Sequence, residues 1–186
     1  MAVGDINGSG RSDLVVAQNS LGAKVEVYEG TGFFSGLGHA KAPIASPLVS
    51  FSFGAKTYRG GVNVATGDFD GDGRADLLVG SNAGPTYVQT YSGILKDSAG
   101  QPQKIGTPIY PFDKSPLKHL YTRGVRVASY DVNGDGIADI IAASNGLAKS
   151  AVNVYSGVDH TLLRTFPAFP TLPSSALFVA ASAPAL

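Results

Sequence analysis

The 186-residue chain contains no cysteine, and this absence excludes disulfide bonds and thiolate metal sites. It also contains no tryptophan, and only 15% of its residues are charged. A formal net charge of zero creates no global field that would attract nucleic acid or an anionic membrane. No run of about 18 apolar residues is present, so the sequence predicts no membrane insertion.

Glycine and proline are plentiful by contrast, with 24 and 11 residues. Together with the low charge, they indicate tight turns between short buried strands, which favours an all-β fold. No window of the sequence shows the period of an amphipathic helix. The length suits a single domain with a sizeable core, and we interpret residues 1–186 as one such domain.

Most acidic residues lie in three short segments, which hold nine of the 14. The segments are copies of one another: GDINGSGRSD from Gly4, GDFDGDGRAD from Gly67 and YDVNGDGIAD from Tyr130. Corresponding residues of successive copies are 63 positions apart. The nine acids are Asp5, Asp13, Asp68, Asp70, Asp72, Asp76, Asp131, Asp135 and Asp139.

Other features recur at nearly the same spacing. VNVAT from Val62 matches VRVAS from Val125, and VEVYEG from Val25 matches VQTYSG from Val88 and VNVYSG from Val152. A fixed period with recurring turns is the signature of a repeat architecture. We predict repeats over residues 4–66, 67–129 and 130–186.

Each unit is predicted to contain four strands. The first precedes the acidic segment, as at 62–66 and 125–129. The second follows it as an apolar run (DLVVA, DLLVG or DIIAA), which is typical of a strand buried on both faces. The third ends at Gly30, Gly93 or Gly157. The fourth is predicted at 48–53, 109–112 and 162–166, and irregular connections at 31–47 and 94–106.

Four short antiparallel strands in each unit, arranged radially, describe the blade of a β-propeller. A β-sandwich is the competing all-β fold, but it does not require a matching acidic segment every 63 residues. We therefore predict β-propeller blades in three repeats, which form either a partial propeller or half of an oligomeric ring.

The acidic segments have the pattern of a cation-binding loop. Counted from the first Asp, positions 1, 3, 5 and 9 carry oxygen-bearing side chains, and positions 4 and 6 are glycine in every copy. Glycine permits the positive φ that a chain coiled around an ion needs. A backbone carbonyl from position 7 would complete the oxygen set that a hard cation prefers. The predicted metal ligands are Asp5, Asn7, Ser9, Arg11 and Asp13; Asp68, Asp70, Asp72, Arg74 and Asp76; and Asp131, Asn133, Asp135, Ile137 and Asp139.

Three alternatives to a calcium loop are less consistent with this pattern. A solvated turn does not need several mutually repelling carboxylates. An EF-hand needs a bidentate acid at position 12, where the chain has Val16, Val79 and Ala142. Mg²⁺ rarely uses an all-protein cage, and no His or Cys takes part in these loops to bind a softer metal.

We therefore expect up to three Ca²⁺ ions, one in each loop. The second loop carries four carboxylates, the third three and the first two. Because ligand charge tunes calcium affinity, we predict that affinity falls in the same order.

The segment VNVATGDFDGDGRADLLVGS resembles the FG-GAP (VCBS-type) repeat of integrin α-subunit propellers and of many bacterial surface proteins. The specific match is the D-x-D-x-D-G-x-x-D loop between two strands. The resemblance implies that this loop joins the first two strands of a blade and holds Ca²⁺ at the rim. The chain departs from the pattern at Ser9, a neutral ligand, and at Tyr130, which replaces the glycine before the loop. The FG-GAP motif itself is only partly present, as SFGAKTYRGG.

Three blades do not enclose an axis, and two interpretations stay open. Residues 176–182 (ALFVAAS) resemble GVRVASY at 124–130, so the chain ends with what reads as a first strand. Either the chain is an excerpt from a longer propeller, which we favour, or this strand completes a blade of a second copy in a two-fold ring.

No catalytic motif is evident. The three histidines lie at different phases of the repeat, and nucleophile-elbow, zinc-protease and phosphate-binding motifs are missing. An acid pair of a glycosidase could lie among Asp97, Asp113 and Asp159. The propeller part of a polysaccharide-degrading enzyme is therefore the alternative function.

Aromatic residues give one hint about a ligand-binding face. Tyr28, Tyr91 and Tyr155 recur on the third strand, which favours core packing over a sugar-binding platform. Phe33 and Phe34 lie in a variable glycine-rich stretch. We expect a ligand-binding face, if the chain has one, at this stretch and at residues 94–119.

The sequence thus predicts a non-catalytic, calcium-stabilised propeller segment of a secreted or surface protein. Its expected role is adhesion, protein or glycan binding, or assembly. Millimolar extracellular calcium would keep even weak loops filled, and this motivates the predicted location.

Overall fold

The computed structural model describes residues 1–30, 46–84, 86–112, 123–145, 150–169 and 177–181. Within these ranges the chain forms twelve β-strands in three four-stranded antiparallel sheets. Each sheet takes its strands in sequence order, so neighbours in the chain are neighbours in the sheet. The prediction of all-β, four-stranded blades in a three-blade propeller-like arrangement is confirmed.

We call the three sheets blades one, two and three. Blade one contains β1 (Ala2–Gly4), β2 (Asp13–Ala17), β3 (Lys24–Tyr28) and β4 (Val49–Ser52). Blade two contains β5 (Val62–Gly67), β6 (Asp76–Ser81), β7 (Val88–Lys96) and β8 (Pro102–Ile109). Blade three contains β9 (Val125–Tyr130), β10 (Asp139–Ser144), β11 (Ala151–Tyr155) and β12 (Leu162–Pro167).

The second strand of a blade is its most enclosed element. All six residues of β6 are buried, and the apolar runs of β2 and β10 occupy the same place in their sheets. Each of these strands pairs with a neighbour on both sides, so its backbone groups are satisfied while both faces carry apolar side chains. The predicted burial on both faces is confirmed for β6.

The connection predicted at 94–106 is wrong, because most of it is strand. β7 continues to Lys96 and β8 begins at Pro102, so the two form a long hairpin. The fourth strand of blade two therefore ends at Ile109, where the sequence had placed its start. Residues 31–45 of the other predicted connection, with Phe33 and Phe34, lie outside the described residues.

The turn of this hairpin is closed by Asp97. Its Oδ1 accepts the backbone N–H groups of Ala99 and Gln101, both at 2.9 Å. The backbone N–H of Asp97 also donates to the carbonyl of Gln101 at 2.7 Å. An Asx-type turn of this kind joins two strands in five residues, so a stretch rich in polar and small residues is ordered without an apolar pattern.

Hydrophobic cores lie between adjacent blades. Val25 and Val27 of blade one pack in one cluster with Leu77 and Tyr91 of blade two. A second cluster joins blades two and three and includes Tyr155. The expectation that the recurring tyrosines pack in the core is confirmed for the buried Tyr91 and Tyr155.

Tyr28 behaves differently from its two counterparts. It is half-buried, and its hydroxyl donates to Glu26 Oε2 at 2.9 Å. Glu26 also forms an ion pair with Lys24, at 2.6 Å between Nζ and Oε1. This tyrosine therefore belongs to a polar group on the face of blade one.

Parts of the first strands of the blades lie close together. Residues of β1, β5 and β9, together with residues 179–181, line one open cavity of about 270 Å³. Leu177 is buried, and its N–H donates to the carbonyl of Ser144 at 3.4 Å. Val62, at the start of β5, makes the equivalent bond to Gln18 at 2.8 Å. The segment from residue 177 thus lies against blade three as β5 lies against blade one.

The assignment of residues 1–186 to one domain, with units counted from the acidic loops, stays a prediction. The blades themselves occupy residues 2–52, 62–109 and 125–167. Over the described ranges, the chain has no helix with the length and apolar character that crossing a membrane would require.

Candidate metal centres in the acidic loops

The three acidic loops occupy the same place in each blade. Loop one (residues 5–13) joins β1 to β2, loop two (68–76) joins β5 to β6, and loop three (131–139) joins β9 to β10. The loops therefore connect the first two strands of each blade, as the sequence resemblance implied.

Glycine at positions 4 and 6 allows the loop to coil. In loop two, φ is +78° at Gly71 and +80° at Gly73, a region that other residues rarely adopt. The same conformation recurs in the other two loops, at Gly8, Gly10, Gly134 and Gly136. The predicted role of these glycines is confirmed.

The aspartate at position 1 holds the coil closed. Asp68 Oδ1 accepts the N–H of Gly71 at 2.7 Å, and Oδ2 accepts the N–H of Gly73 at 2.8 Å. Gly10 makes the equivalent bond to Asp5 at 2.7 Å, and Gly136 to Asp131 at 2.9 Å. Hydrogen bonds from backbone N–H groups, that of Gly136 foremost, hold the pKa of Asp131 below its ordinary value.

The aspartate at position 9 is buried in all three loops. Asp76 Oδ2 accepts the N–H of Phe69 at 2.9 Å, and Oδ1 accepts the N–H of Gly93 at 3.0 Å. Burial raises the pKa of Asp76 to about 6. This residue therefore ties its loop to the third strand as well as offering oxygen to a cation. Asp13 and Asp139 make the equivalent bonds to Ile6, Gly30, Val132 and Gly157.

Loop two gathers its carboxylates most closely. Oxygens of Asp68, Asp70 and Asp76 lie within 4.8 Å of one another, and no other such group of three acidic or histidine side chains occurs among the described residues. Ligands on opposite sides of a Ca²⁺ ion are about 5 Å apart, because each lies about 2.3–2.6 Å from the ion. The residues present therefore fit calcium.

Asp70 and Asp72 occupy different positions relative to the gathered group. Asp70 belongs to it, and partial desolvation raises the pKa of this exposed carboxyl, with the charges of Asp72 and Asp68 adding to the effect. Asp72 lies outside the gathered group, and its Oδ1 accepts the N–H of Arg74 at 2.9 Å. A bound cation would lower the free energy of holding these charges together.

Loops one and three have the same backbone fold, but their carboxylates are fewer and are not gathered as those of loop two are. In loop three, Asp135 accepts the side-chain N–H of Asn133 at 2.9 Å and the backbone N–H of Ile137 at 2.8 Å. In loop one, the N–H of Ser9 donates to Asp5 and to Asn7, both at 2.9 Å. The metal ligands proposed for all three loops, with the position-7 carbonyls, stay predictions.

Sequence analysis did not predict that the side chain at position 2 packs in a core in loops one and two. Ile6 is 1% exposed and lies in the core between blades one and two. Phe69 is 3% exposed and lies in the core between blades two and three. Val132, at the same position of loop three, is 53% exposed. The sequence did contain a sign of this packing, because position 2 is apolar in every copy.

The acids outside the loops show no catalytic arrangement in the described ranges. Asp97 closes the β7–β8 turn, and Asp159 accepts the N–H and the hydroxyl of Thr161 at 2.9 and 2.8 Å. His160 lies beside Gly106, and burial lowers its pKa. Asp113 lies outside the described residues.

The recurrent blade, with an acidic loop between its first two strands, defines a β-propeller-like repeat protein. Residues 5–79, which contain loops one and two, match the family model of the FG-GAP-like repeat. Over this part of the chain, the resemblance found in the sequence is confirmed. A comparison with curated proteins gives no match.

The family match sets a general expectation. FG-GAP repeats are generally non-catalytic structural or binding modules, typically of extracellular or surface proteins, and often bind calcium. Loop three lies outside the matched segment, but it shares the strand connection, the coiled glycines and the buried position-9 aspartate.

Proposed function

We propose that the chain is a calcium-stabilised, non-catalytic propeller-like module of a secreted or surface protein. The observation that carries this proposal is the group formed by Asp68, Asp70 and Asp76, whose oxygens lie within 4.8 Å of one another. In loop two, the position-5 side chain and the position-7 carbonyl would add further oxygen ligands.

The role of calcium in this proposal is structural. Without a cation, the carboxylates of loop two repel one another, at a cost of roughly 1–4 kcal/mol for each close pair. A bound Ca²⁺ ion reverses this repulsion and fixes the connection between β5 and β6. Because both strands belong to the packed part of blade two, calcium stabilises the blade and not only its rim.

Binding of calcium is tested by isothermal titration and by thermal melting in calcium and in EDTA. The wild-type chain is expected to melt at a higher temperature in calcium. Asp70→Asn keeps the size of the side chain but removes a charge from the gathered group, and it should weaken the tightest binding by about tenfold or more, or about 1.4 kcal/mol.

Asp97→Asn is the matched control for this substitution. It makes the same chemical change in an acidic residue that closes a hairpin turn away from the loops. Its calcium affinity should equal that of the wild type. A melting temperature that does not respond to calcium, or equal affinities for wild type and Asp70→Asn, would overturn the proposal.

The proposed partner is a protein or a glycan, and the proposed activity is binding or assembly without cleavage. The family match supports a module of this kind, since FG-GAP-like repeats are generally non-catalytic structural or binding modules. A glycan array combined with a screen against soluble polysaccharides separates the outcomes. Binding without cleavage supports a glycan-binding module. If the chain neither binds nor cleaves a glycan, the partner that remains in the proposal is a protein. Cleavage rejects the non-catalytic proposal.

A further inference from the structure

We infer that the acidic loops are coupled in series, so that calcium in one loop strengthens calcium binding in the loop of the preceding blade. This inference rests on the proposed calcium function and concerns how the sites regulate one another. The contacts that carry it run between blades and involve residues that are predicted ligands or lie next to them in the loops.

A backbone hydrogen bond joins each pair of successive loops. The N–H of Ala138 in loop three donates to the carbonyl of Asp68 in loop two at 2.8 Å. One repeat earlier, the N–H of Ala75 in loop two donates to the carbonyl of Asp5 in loop one at 2.9 Å. Position 8 of one loop is thus bonded to position 1 of the loop before it.

This bond connects two sets of predicted ligands directly. Ala138 lies between Ile137 and Asp139, the position-7 and position-9 ligands of loop three. An ion in loop three would fix these two residues and with them the direction of the N–H between them. Its acceptor, Asp68, is the position-1 ligand of loop two, so the bond orders the residue that closes the preceding coil.

A side-chain contact follows the same route. A Cβ atom added at Gly71, position 4 of loop two, would lie 3.0 Å from Cδ1 of Ile137. In the same way, a Cβ atom at Gly8 in loop one would lie 2.8 Å from Nε of Arg74. The position-7 residue therefore offers its carbonyl to its own loop while its side chain rests on the preceding loop.

The close packing of the two backbones makes this contact stiff. A Cβ atom at Gly67 would lie 2.7 Å from the Cβ of Ala138, so the residue before loop two has no room for a side chain. Because packed interfaces transmit small displacements, an ion that holds loop three also restricts the conformations of loop two.

The two junctions differ in charge. Ile137 places an apolar side chain beside loop two, whereas Arg74 places a guanidinium beside loop one. A positive charge beside a loop with two carboxylates opposes a second cation there. The coupling is therefore expected to be clearest between loops three and two, and that junction is the one to test.

Coupling between sites is a free energy that acts equally in both directions. We expect calcium in loop three to strengthen binding in loop two by about fivefold, the lower end of the usual range. The test needs a separate signal from each loop. The backbone N–H groups of Gly10, Gly73 and Gly136 each report on one loop, because each donates to the position-1 aspartate of its own loop.

The experiment is a Ca²⁺ titration followed by nuclear magnetic resonance of these three glycine amides. The double variant Asp131→Asn with Asp135→Asn disables loop three without changing a residue of loop two. In this variant the midpoint of the Gly73 signal is expected at a calcium concentration about fivefold higher than in the wild type. An unchanged midpoint would overturn the coupling.

A second variant leaves every carboxylate in place. Ile137→Ala keeps the position-7 carbonyl but removes the side chain that rests on Gly71. It should raise the Gly73 midpoint by at least about twofold. Leu163→Ala is the control, since it shortens an exposed apolar side chain on β12, the edge strand of blade three farthest in the sheet from β9. Equal midpoints in these two variants would also reject the coupling.

The outcomes separate this inference from the function on which it rests. If the three amides respond to calcium but the Gly73 midpoint is the same in every variant, the loops bind independently and only the coupling fails. If none of the amides of the wild-type chain responds, the calcium function fails and the coupling fails with it.

Discussion

At the scale of single residues, the buried aspartate at position 9 has two functions that are easily confused. Asp76 belongs to the gathered carboxylates of loop two, and it also accepts two backbone N–H groups. Its removal would therefore reduce stability even without calcium. Position 3 gives a cleaner test of calcium binding, because Asp70 is exposed and anchors less of the backbone.

The anchoring function of Asp76 leads to a prediction. Asp76→Ala leaves the N–H groups of Phe69 and Gly93 without their acceptor, and each unpaired buried donor costs about 1–3 kcal/mol. The free energy of unfolding should therefore fall by about 2–5 kcal/mol in urea denaturation with EDTA present. Asp72→Ala, at an exposed position of the same loop, should change it by less than about 1 kcal/mol. Similar losses in the two variants would contradict the anchoring function.

At the scale of elements, a glycine at the end of the first strand permits the close approach of two blades. Gly67 ends β5, and a Cβ atom there would lie 2.7 Å from the Cβ of Ala138 and 3.1 Å from Oγ of Ser129. Gly4 meets Ala75 in the same way at the end of β1. Tyr130 ends β9 at the corresponding position of blade three.

Gly67→Ala is accordingly expected to destabilise the junction between blades two and three by about 1–3 kcal/mol, because the added methyl group overpacks it. The free energy of unfolding by urea measures the loss. Adding Ala138→Gly removes the opposing methyl group and should restore part of it. If the double variant is less stable than the sum of the two single changes predicts, the steric explanation is wrong.

The sequence predicted the elements whose pattern depends on local chemistry. The apolar runs of β2, β6 and β10 and the coiled glycines of the loops follow from hydrophobic pattern and from positive φ. The β7–β8 hairpin was missed because it is closed by side-chain hydrogen bonds of Asp97 and not by an alternating apolar pattern.

The contacts between loops were beyond sequence analysis for a different reason. The bond from Ala138 to Asp68 joins residues 70 positions apart (138 − 68), and neither side chain takes part in it. Because a backbone hydrogen bond does not depend on the type of side chain, it produces no pattern in the sequence. The constant Gly before the first two loops was its indirect sign, since only glycine fits there.

At the scale of the whole molecule, blade two connects the two cores. Successive residues of β6 point to opposite faces, as in any strand. Leu77 and Val79 therefore pack with blade one, whereas Leu78 packs with blade three. The two interfaces share the backbone of β6, so we expect a change in one core to affect the other.

This arrangement predicts cooperative unfolding. Leu77→Ala and Leu78→Ala should each lower the free energy of unfolding by about 2–5 kcal/mol, because both side chains are fully buried. Calorimetry and circular dichroism should report one coincident transition in each variant. Two separate transitions in either variant would show that the blades unfold independently.

The insertion of position 2 into the following blade has a consequence during protein synthesis. Ile6 leaves the ribosome before its partners Leu77 and Tyr91, which follow after about 70 to 85 further residues. The nascent first blade therefore presents an apolar side chain to chaperones until the second blade emerges. Phe69 repeats this delay between blades two and three, so these two interfaces mature in chain order.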